Sequence, residues 1–434
     1  MSKILIKNGI LLPMEKSLAD AGDLYYQGGL FIDGNKIRAV GDIPADWRPD
    51  TVIDAAGKVV MPGFVNCHTH AAMTLLRSFA DDLPLMQWLE EKIWPLEANL
   101  TGDDVYWGTM LAAREMIAGG TTTFADMYFF MDDAAKAVRD SGIRASLSRG
   151  MVGMAPNGTH ALNESRELVE NWQGQANGRI TTMLGPHAPY TCPPEYLQKV
   201  MKLAEELGTG IHIHVAETKQ EVEEITKNYG KTPVKHLAAQ GLFNFPVLAA
   251  HCVHVDSEEI SILANNDVKV VHNPESNMKL ASGIAPVPEM LSAGINVALG
   301  TDGASSNNNL DMMEEMRSAA LLHKVNKEDP TVICSYQALE MATKFGGQAL
   351  GLPVGVLAPG MKADVILLDF QKPHLYPLHD VPAHVVYAAQ AGDVDTVVIN
   401  GKIVMEQGKV AAIDDEKLFR EIRDRAVRLT RPSQ

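Results

Sequence analysis

The stretch Met61-Pro-Gly-Phe-Val-Asn-Cys-His-Thr-His70 is a run of strand-forming residues ending in two histidines spaced i, i+2. Side chains alternate across a strand, so His68 and His70 point the same way and can share one metal ion. Read alone, an H-x-H pair is equally compatible with ordinary polar residues at a strand end. Three later segments decide between the two.

Working outward, strand-like runs recur at the spacing of a β/α repeat: 63–70, 121–126, 144–149, 181–187, 210–214, 247–251, 268–272 and 295–302. Several end in a polar, chemically capable residue. Helical patterns lie between them. Thr101 can cap one of these, with Asp104 at the third position as in a capping box and Gly119-Gly120 as its stop. Eight strands alternating with helices predict an α/β fold, a metal-dependent (β/α)8 TIM barrel over residues 61–357, whose chemistry sits at the C-terminal ends of the strands. The flanks read as short strands with Gly/Asn turns at 3–12, 24–40, 52–60, 364–369 and 394–404, with Asn400-Gly401 as a hairpin turn. Both chain ends, 1–60 and 358–434, are therefore expected to form one small composite β-sandwich domain, and 416–429 a terminal helix packed on the body.

The chain has 434 residues, 46% hydrophobic and 21% charged, ordinary for a folded globular protein and enough for a large core with an appended smaller unit. A formal charge of -16 disfavours a nucleic-acid partner, which would need a basic face. No run is long enough to span a bilayer, and the first residues lack the apolar segment of a signal peptide. Four separated cysteines, Cys67, Cys192, Cys252 and Cys334, form no C-x-x-C pair and fit a reducing cytoplasm. Gly230-Lys231-Thr232 lacks the first glycine of a phosphate-binding loop, since Ile225 stands there. The H-x-E and P-C-x-x-C signature of polynucleotide-editing zinc deaminases is also absent.

The fifth run, Ile211-His-Ile-His-Val-Ala-Glu217, offers a second i, i+2 histidine pair and an acid three residues past His214. Period alone does not choose between His212 and His214. The sixth run ends in His251 and the eighth in Thr301-Asp302-Gly303. His68, His70, one of His212 or His214, and Asp302 would supply three nitrogens and one oxygen, leaving a position for water as catalytic sites do. Glu217, just past a ligand, is placed to accept a proton from that water and pass it on.

The segments PGFVNCHTH, HIHVAET, AAHCVH and GTDGASSNN appear in the order found in the amidohydrolase superfamily, which the chain resembles almost end to end. The resemblance implies His68, His70, His214 and Asp302 as metal ligands, Glu217 as proton shuttle and His251 as the residue that orients or deprotonates the attacking water. Binuclear members bridge two metals with a carboxylated lysine on the fourth strand; here 181–187 contains no lysine, so one divalent metal is expected. Zinc is the expected ion, with iron and manganese suiting the same donors.

Within the superfamily the chain is similar to the 5-methylthioadenosine/S-adenosylhomocysteine deaminases, through Trp88 and Glu97 in WLEEKIWPLE, Arg149 in SRGM and His187 in GPHAPYTC. That similarity implies Glu97 on the ribose hydroxyls, His187 on the nucleoside and Arg149 on a homocysteine carboxylate. It also places Trp88, Glu217 and Asp302 among the substrate contacts, and implies a homo-oligomer. The expected reaction is hydrolytic deamination of the adenine ring of 5′-substituted adenosines. A guanine deaminase or triazine hydrolase would share the metal site, but would have no use for a ribose-binding Glu97. A non-catalytic scaffold on a hydrolase barrel would tend to lose ligands, and all four remain.

Overall fold

Eight parallel strands hydrogen-bond in sequence order into one curved sheet: Phe64–Thr69, Thr121–Tyr128, Arg144–Met151, Ile180–Pro186, Ile211–Val215, Val247–His251, Lys269–His272 and Val297–Leu299. This architecture is that of a computed structural model, which describes residues 2–17, 20, 22–42 and 47–430. The expected end units also include residues 1, 18–19, 21, 43–46 and 431–434, which lie outside the described residues. Each of the eight strands falls within or overlaps an expected run. The strands are buried on both faces, as a parallel barrel requires, which explains their near-continuous apolar character.

The barrel closes between its eighth and first strands. The Asp302 amide donates to the His68 carbonyl at 2.9 Å, and the Thr301 amide to Asn66 Oδ1 at 3.0 Å. Gly300 permits this approach, because a Cβ there would lie 2.7 Å from the His68 backbone nitrogen. The closure is what brings Asp302 to the first-strand histidines.

Helices form the outer ring. Gly102–Ala118 begins with the capping box read from the sequence: Thr101 accepts from the Asp104 amide and Asp104 from the Thr101 amide. Gly230, in the phosphate-loop-like triplet, ends the helix Lys219–Tyr229 in a left-handed conformation, and Thr232 precedes the next helix.

Both chain ends form a second, nine-stranded sheet. The strand Lys3–Leu11 pairs in parallel with Thr51–Asp54 through its first half and with Lys58–Pro62 through its second, so the sheet branches there. From the C-terminal part, Val365–Asp369 lies antiparallel to Lys58–Pro62. This unit has its own core, in which Ile6, Leu30, Val60, Val365 and Val398 meet. Asn400 and Gly401, at φ 52° and 74°, make the expected hairpin turn. The terminal helix Asp415–Thr430 buries Leu418 against Met110 and Ala137. Arg144 ties barrel to sheet: its Nε lies 2.7 Å and its Nη2 3.0 Å from the two carboxylate oxygens of Asp364, all fully buried.

Among the described residues no helix is long and apolar enough to cross a membrane.

Candidate metal centre and active site

At the C-terminal mouth of the barrel, donor atoms of His68, His70 and His214, and likewise of His68, His251 and Asp302, lie within 4.8 Å of one another. Each imidazole is aimed by a partner behind it. His70 Nδ1 sits 2.6 Å from the Met127 carbonyl and His214 Nδ1 2.7 Å from the His187 carbonyl. A carbonyl only accepts, so both rings carry a proton on Nδ1 and turn Nε2 inward. His68 Nδ1 faces His212 Nε2 at 2.8 Å, leaving His68 Nε2 buried without a hydrogen-bond partner and 3.5 Å from Asp302 Oδ1. His70 Nε2 is 3.2 Å from the same oxygen. The other oxygen of Asp302 accepts from Ser276 at 2.6 Å and Ser306 at 2.9 Å.

The donor chemistry fits a divalent cation. Burial lowers His68 to about 4 and holds His214 well below the usual histidine range, so both are neutral. Burial also opposes charge on His70 and Asp302. Their mutual hydrogen bond and attraction nevertheless lift His70 to about 9 and hold Asp302 well below the carboxylate range. The point where these groups converge therefore favours positive charge. Three imidazole nitrogens and one carboxylate oxygen, with room left for water, are a catalytic rather than a closed structural set. His212 is not in this set. It stands behind His68, one strand repeat deeper in the barrel.

Beside the cluster, Glu217 is buried, and burial pushes its carboxyl above the usual range. Its Oε2 lies 3.9 Å from His251 Nε2, and His251 Nδ1 is fixed by Asn277 Oδ1 at 2.9 Å. The backbone here is strained: Ala216, His251 and Asp302 are left-handed, at φ 51°, 73° and 63°, at a cost of roughly 1–3 kcal/mol each. Glu221 holds one of these turns, accepting from the amides of Ala216 at 2.9 Å and Glu217 at 2.8 Å. The sequence reading missed Glu221, although Thr218-x-x-Glu221 is a capping-box pattern and Thr218 does cap that helix. It also missed Asn277, Ser276 and Ser306, for which no local signal exists.

A cavity of about 520 Å³ opens over the cluster, with Trp88, Glu97, Arg149 and His187 on its walls. Glu97 accepts from the Tyr128 hydroxyl at 2.7 Å, yet enclosure pushes it up to about 7. It ends a chain of short helical turns, Leu85–Trp88, Leu89–Ile93 and Trp94–Glu97, the middle one a π turn of the kind found at functional sites. His187 Nδ1 contacts the Thr191 hydroxyl at 3.0 Å, and burial lowers the ring to about 4. Of the other histidines, His254 contacts the Ser282 carbonyl and His272 pairs with His323.

A metal-binding (β/α)8 hydrolase is the class that this barrel and mouth define. The chain belongs to the amidohydrolase family, whose profile matches residues 59–404. It is 60% identical over 433 residues to a 5-methylthioadenosine/S-adenosylhomocysteine deaminase of Pelotomaculum thermopropionicum, covering 99% of each chain. It is 57% identical over 431 residues to the protein of the same name from Syntrophomonas wolfei, covering 98% of this chain and 99% of the other. Among solved structures, an adenosine deaminase from Xanthomonas campestris with bound zinc superposes with a TM-score of 0.93 at 35% identity, covering 98% of both chains.

Proposed function

We propose that this protein deaminates the adenine ring of 5′-substituted adenosines, 5-methylthioadenosine and S-adenosylhomocysteine among them, to the inosine analogue and ammonia. The observation that carries the reading is a ribose-ready carboxylate, Glu97, on the wall of the same cavity that holds the histidine–aspartate cluster and Glu217. The names of the 57–60% identical relatives and of the zinc-bound adenosine deaminase support it.

In this reading His68, His70, His214 and Asp302 hold one divalent cation, with zinc the proposed ion. When bound, such a cation supplies Lewis acidity that lowers the pKa of a water from 15.7 to about 7. Glu217 delivers a proton to ring N1 as the water oxygen adds to C6. Asp302 and His251 take the proton that the water gives up. The C6–N bond then breaks as Glu217 relays the remaining hydrogen of the added oxygen to the amino nitrogen, and the proton held by Asp302 and His251 returns to Glu217, so each residue ends as it began while N1 and the departing ammonia each gain one hydrogen. Glu97 accepts from the 2′ and 3′ hydroxyls, His187 contacts the nucleoside, and Trp88 packs against it.

The test is loss of adenine absorbance near 265 nm with metal-analysed protein. Methylthioadenosine, S-adenosylhomocysteine, adenosine, adenine and guanine are compared side by side. Turnover of nucleosides but not free bases is expected; activity on a free base alone would overturn the reading in favour of a base deaminase.

A further inference from the structure

The two oxygens of Asp302 are held differently. Oδ1 lies 3.5 Å from His68 Nε2 and 3.2 Å from His70 Nε2, and accepts from the Gly303 amide at 2.8 Å. Oδ2 accepts from Ser276 Oγ at 2.6 Å and from Ser306 Oγ at 2.9 Å. An ionised carboxylate only accepts and has about four lone-pair sites. Three are therefore taken by the protein, and the one left over belongs to Oδ1, the oxygen beside the histidines. Ser306 shares its proton with the Gly303 carbonyl at 3.1 Å, so Ser276 is the firmer donor.

Both hydroxyls are fixed from elsewhere in the fold. Ser276 is fully buried on the short helix Pro274–Lys279, which follows the seventh barrel strand. Lys279, one turn further on, donates to the Ser305 carbonyl at 3.1 Å and so ties that helix to the segment carrying Ser306. Asn307 donates to the Thr301 carbonyl at 2.8 Å and to the buried Glu315 of the helix Met312–Lys327. The two donors and their acceptor thus belong to one braced unit.

We propose that Ser276, assisted by Ser306, is a positioning residue that keeps Asp302 a one-oxygen ligand, so that the cation retains a coordination position for water. The inference rests on the metal set of the reading above and not on its substrate. A carboxylate turning both oxygens to the cation would add a donor and fill the position that a catalytic site leaves open. To turn that way, Oδ2 has to give up two hydrogen bonds to a charged oxygen in a buried site, where such bonds are strong and their loss is not made good by water. Ser276 acts through Asp302 on the water and not on the nucleoside, so its effect belongs in kcat. Among the described residues that line the cavity Ser306 appears and Ser276 does not, so replacing Ser276 leaves the cavity wall intact.

The experiment loads the wild-type protein, Ser276→Ala, Ser276→Thr and the double variant Ser276→Ala/Ser306→Ala with cobalt(II), which suits the same donors and whose visible absorption weakens as its coordination number rises. Cobalt affinity is measured by chelator competition, and kcat and KM with methylthioadenosine. The double variant is expected to bind cobalt at least as tightly as the wild type and to show a weaker visible band. Its kcat should fall about 10- to 100-fold with KM little changed. Ser276→Thr, which keeps the hydroxyl, should restore band and turnover. A double variant with full cobalt and a wild-type band would overturn the inference. So would a cobalt affinity that falls in step with kcat, since the hydroxyls would then serve only to build the site. Should the double variant not fold, Ser276→Ala alone decides on the same readouts. Nucleosides left untouched by the cobalt-loaded wild type sink the substrate reading while band and affinity still decide this inference, whereas a wild type that binds no cobalt sinks both.

Discussion

His68 Nδ1 lies 2.8 Å from His212 Nε2, which places His212 on the side of the His68 ring away from the donor cluster. His214, two residues on, faces that cluster with its Nδ1 tied to the His187 carbonyl. Barrel interiors are filled in layers, and these two histidines of one strand belong to successive layers.

His214→Ala is therefore expected to abolish metal binding. His212→Ala should weaken it about 10- to 100-fold, as loss of a residue that orients a ligand does. Elemental analysis after dialysis against graded chelator separates the two; equal losses would contradict the layering.

Glu217→Gln should lower kcat about 10²- to 10⁴-fold with metal content unchanged. Glu221→Gln, which keeps one acceptor for two backbone amides, should lower kcat by a smaller factor without shifting KM or metal content. Steady-state kinetics with metal analysis checks both. Near-normal turnover in Glu217→Gln would remove it as the proton shuttle.

Enclosure raises Glu97 to about 7 from an ordinary 4.5, so between those values the folded protein keeps a proton that an exposed carboxyl would have lost. Protonation removes acceptor capacity for the ribose hydroxyls. kcat/KM for nucleosides should fall through KM as pH drops through about 7. The groups closest to this titration are the Tyr128 hydroxyl and His70. Comparing pH profiles of the wild type and Glu97→Gln tests it: the limb due to Glu97 should vanish in the variant. The sign for stability is opposite in pH. The contribution of this group is full below about 4.5 and declines as pH rises to 7.

Arg144→Met should destabilise the fold by about 3–5 kcal/mol, because it leaves the buried Asp364 carboxylate without its partner. The double variant Arg144→Met/Asp364→Leu should recover much of that loss. Urea unfolding of the three proteins measures it, and additive losses would show that the pair itself is not the linkage.

Much of the architecture was legible locally. Apolar runs of strand length at β/α spacing disclosed the eight barrel strands, the Thr101–Asp104 box marked a helix start, and Asn400-Gly401 marked a hairpin. These signals work because backbone hydrogen bonding and side-chain period are short-range properties. By itself the sequence determined the fold class, the family resemblance and which residue types meet at the barrel mouth. Only the tertiary structure decided depth and pairing. Alternation says which way His212 and His214 point, but their layer depends on how neighbouring strands are staggered. Asp302 reaches His68 only because the eighth strand closes on the first across Gly300. The left-handed turns at Ala216, His251 and Asp302 carry no residue preference that announces them, since packing and hydrogen bonds hold them against local propensity. The Arg149–Glu164 pair, likewise, joins a strand to a helix, and neither segment announces it locally.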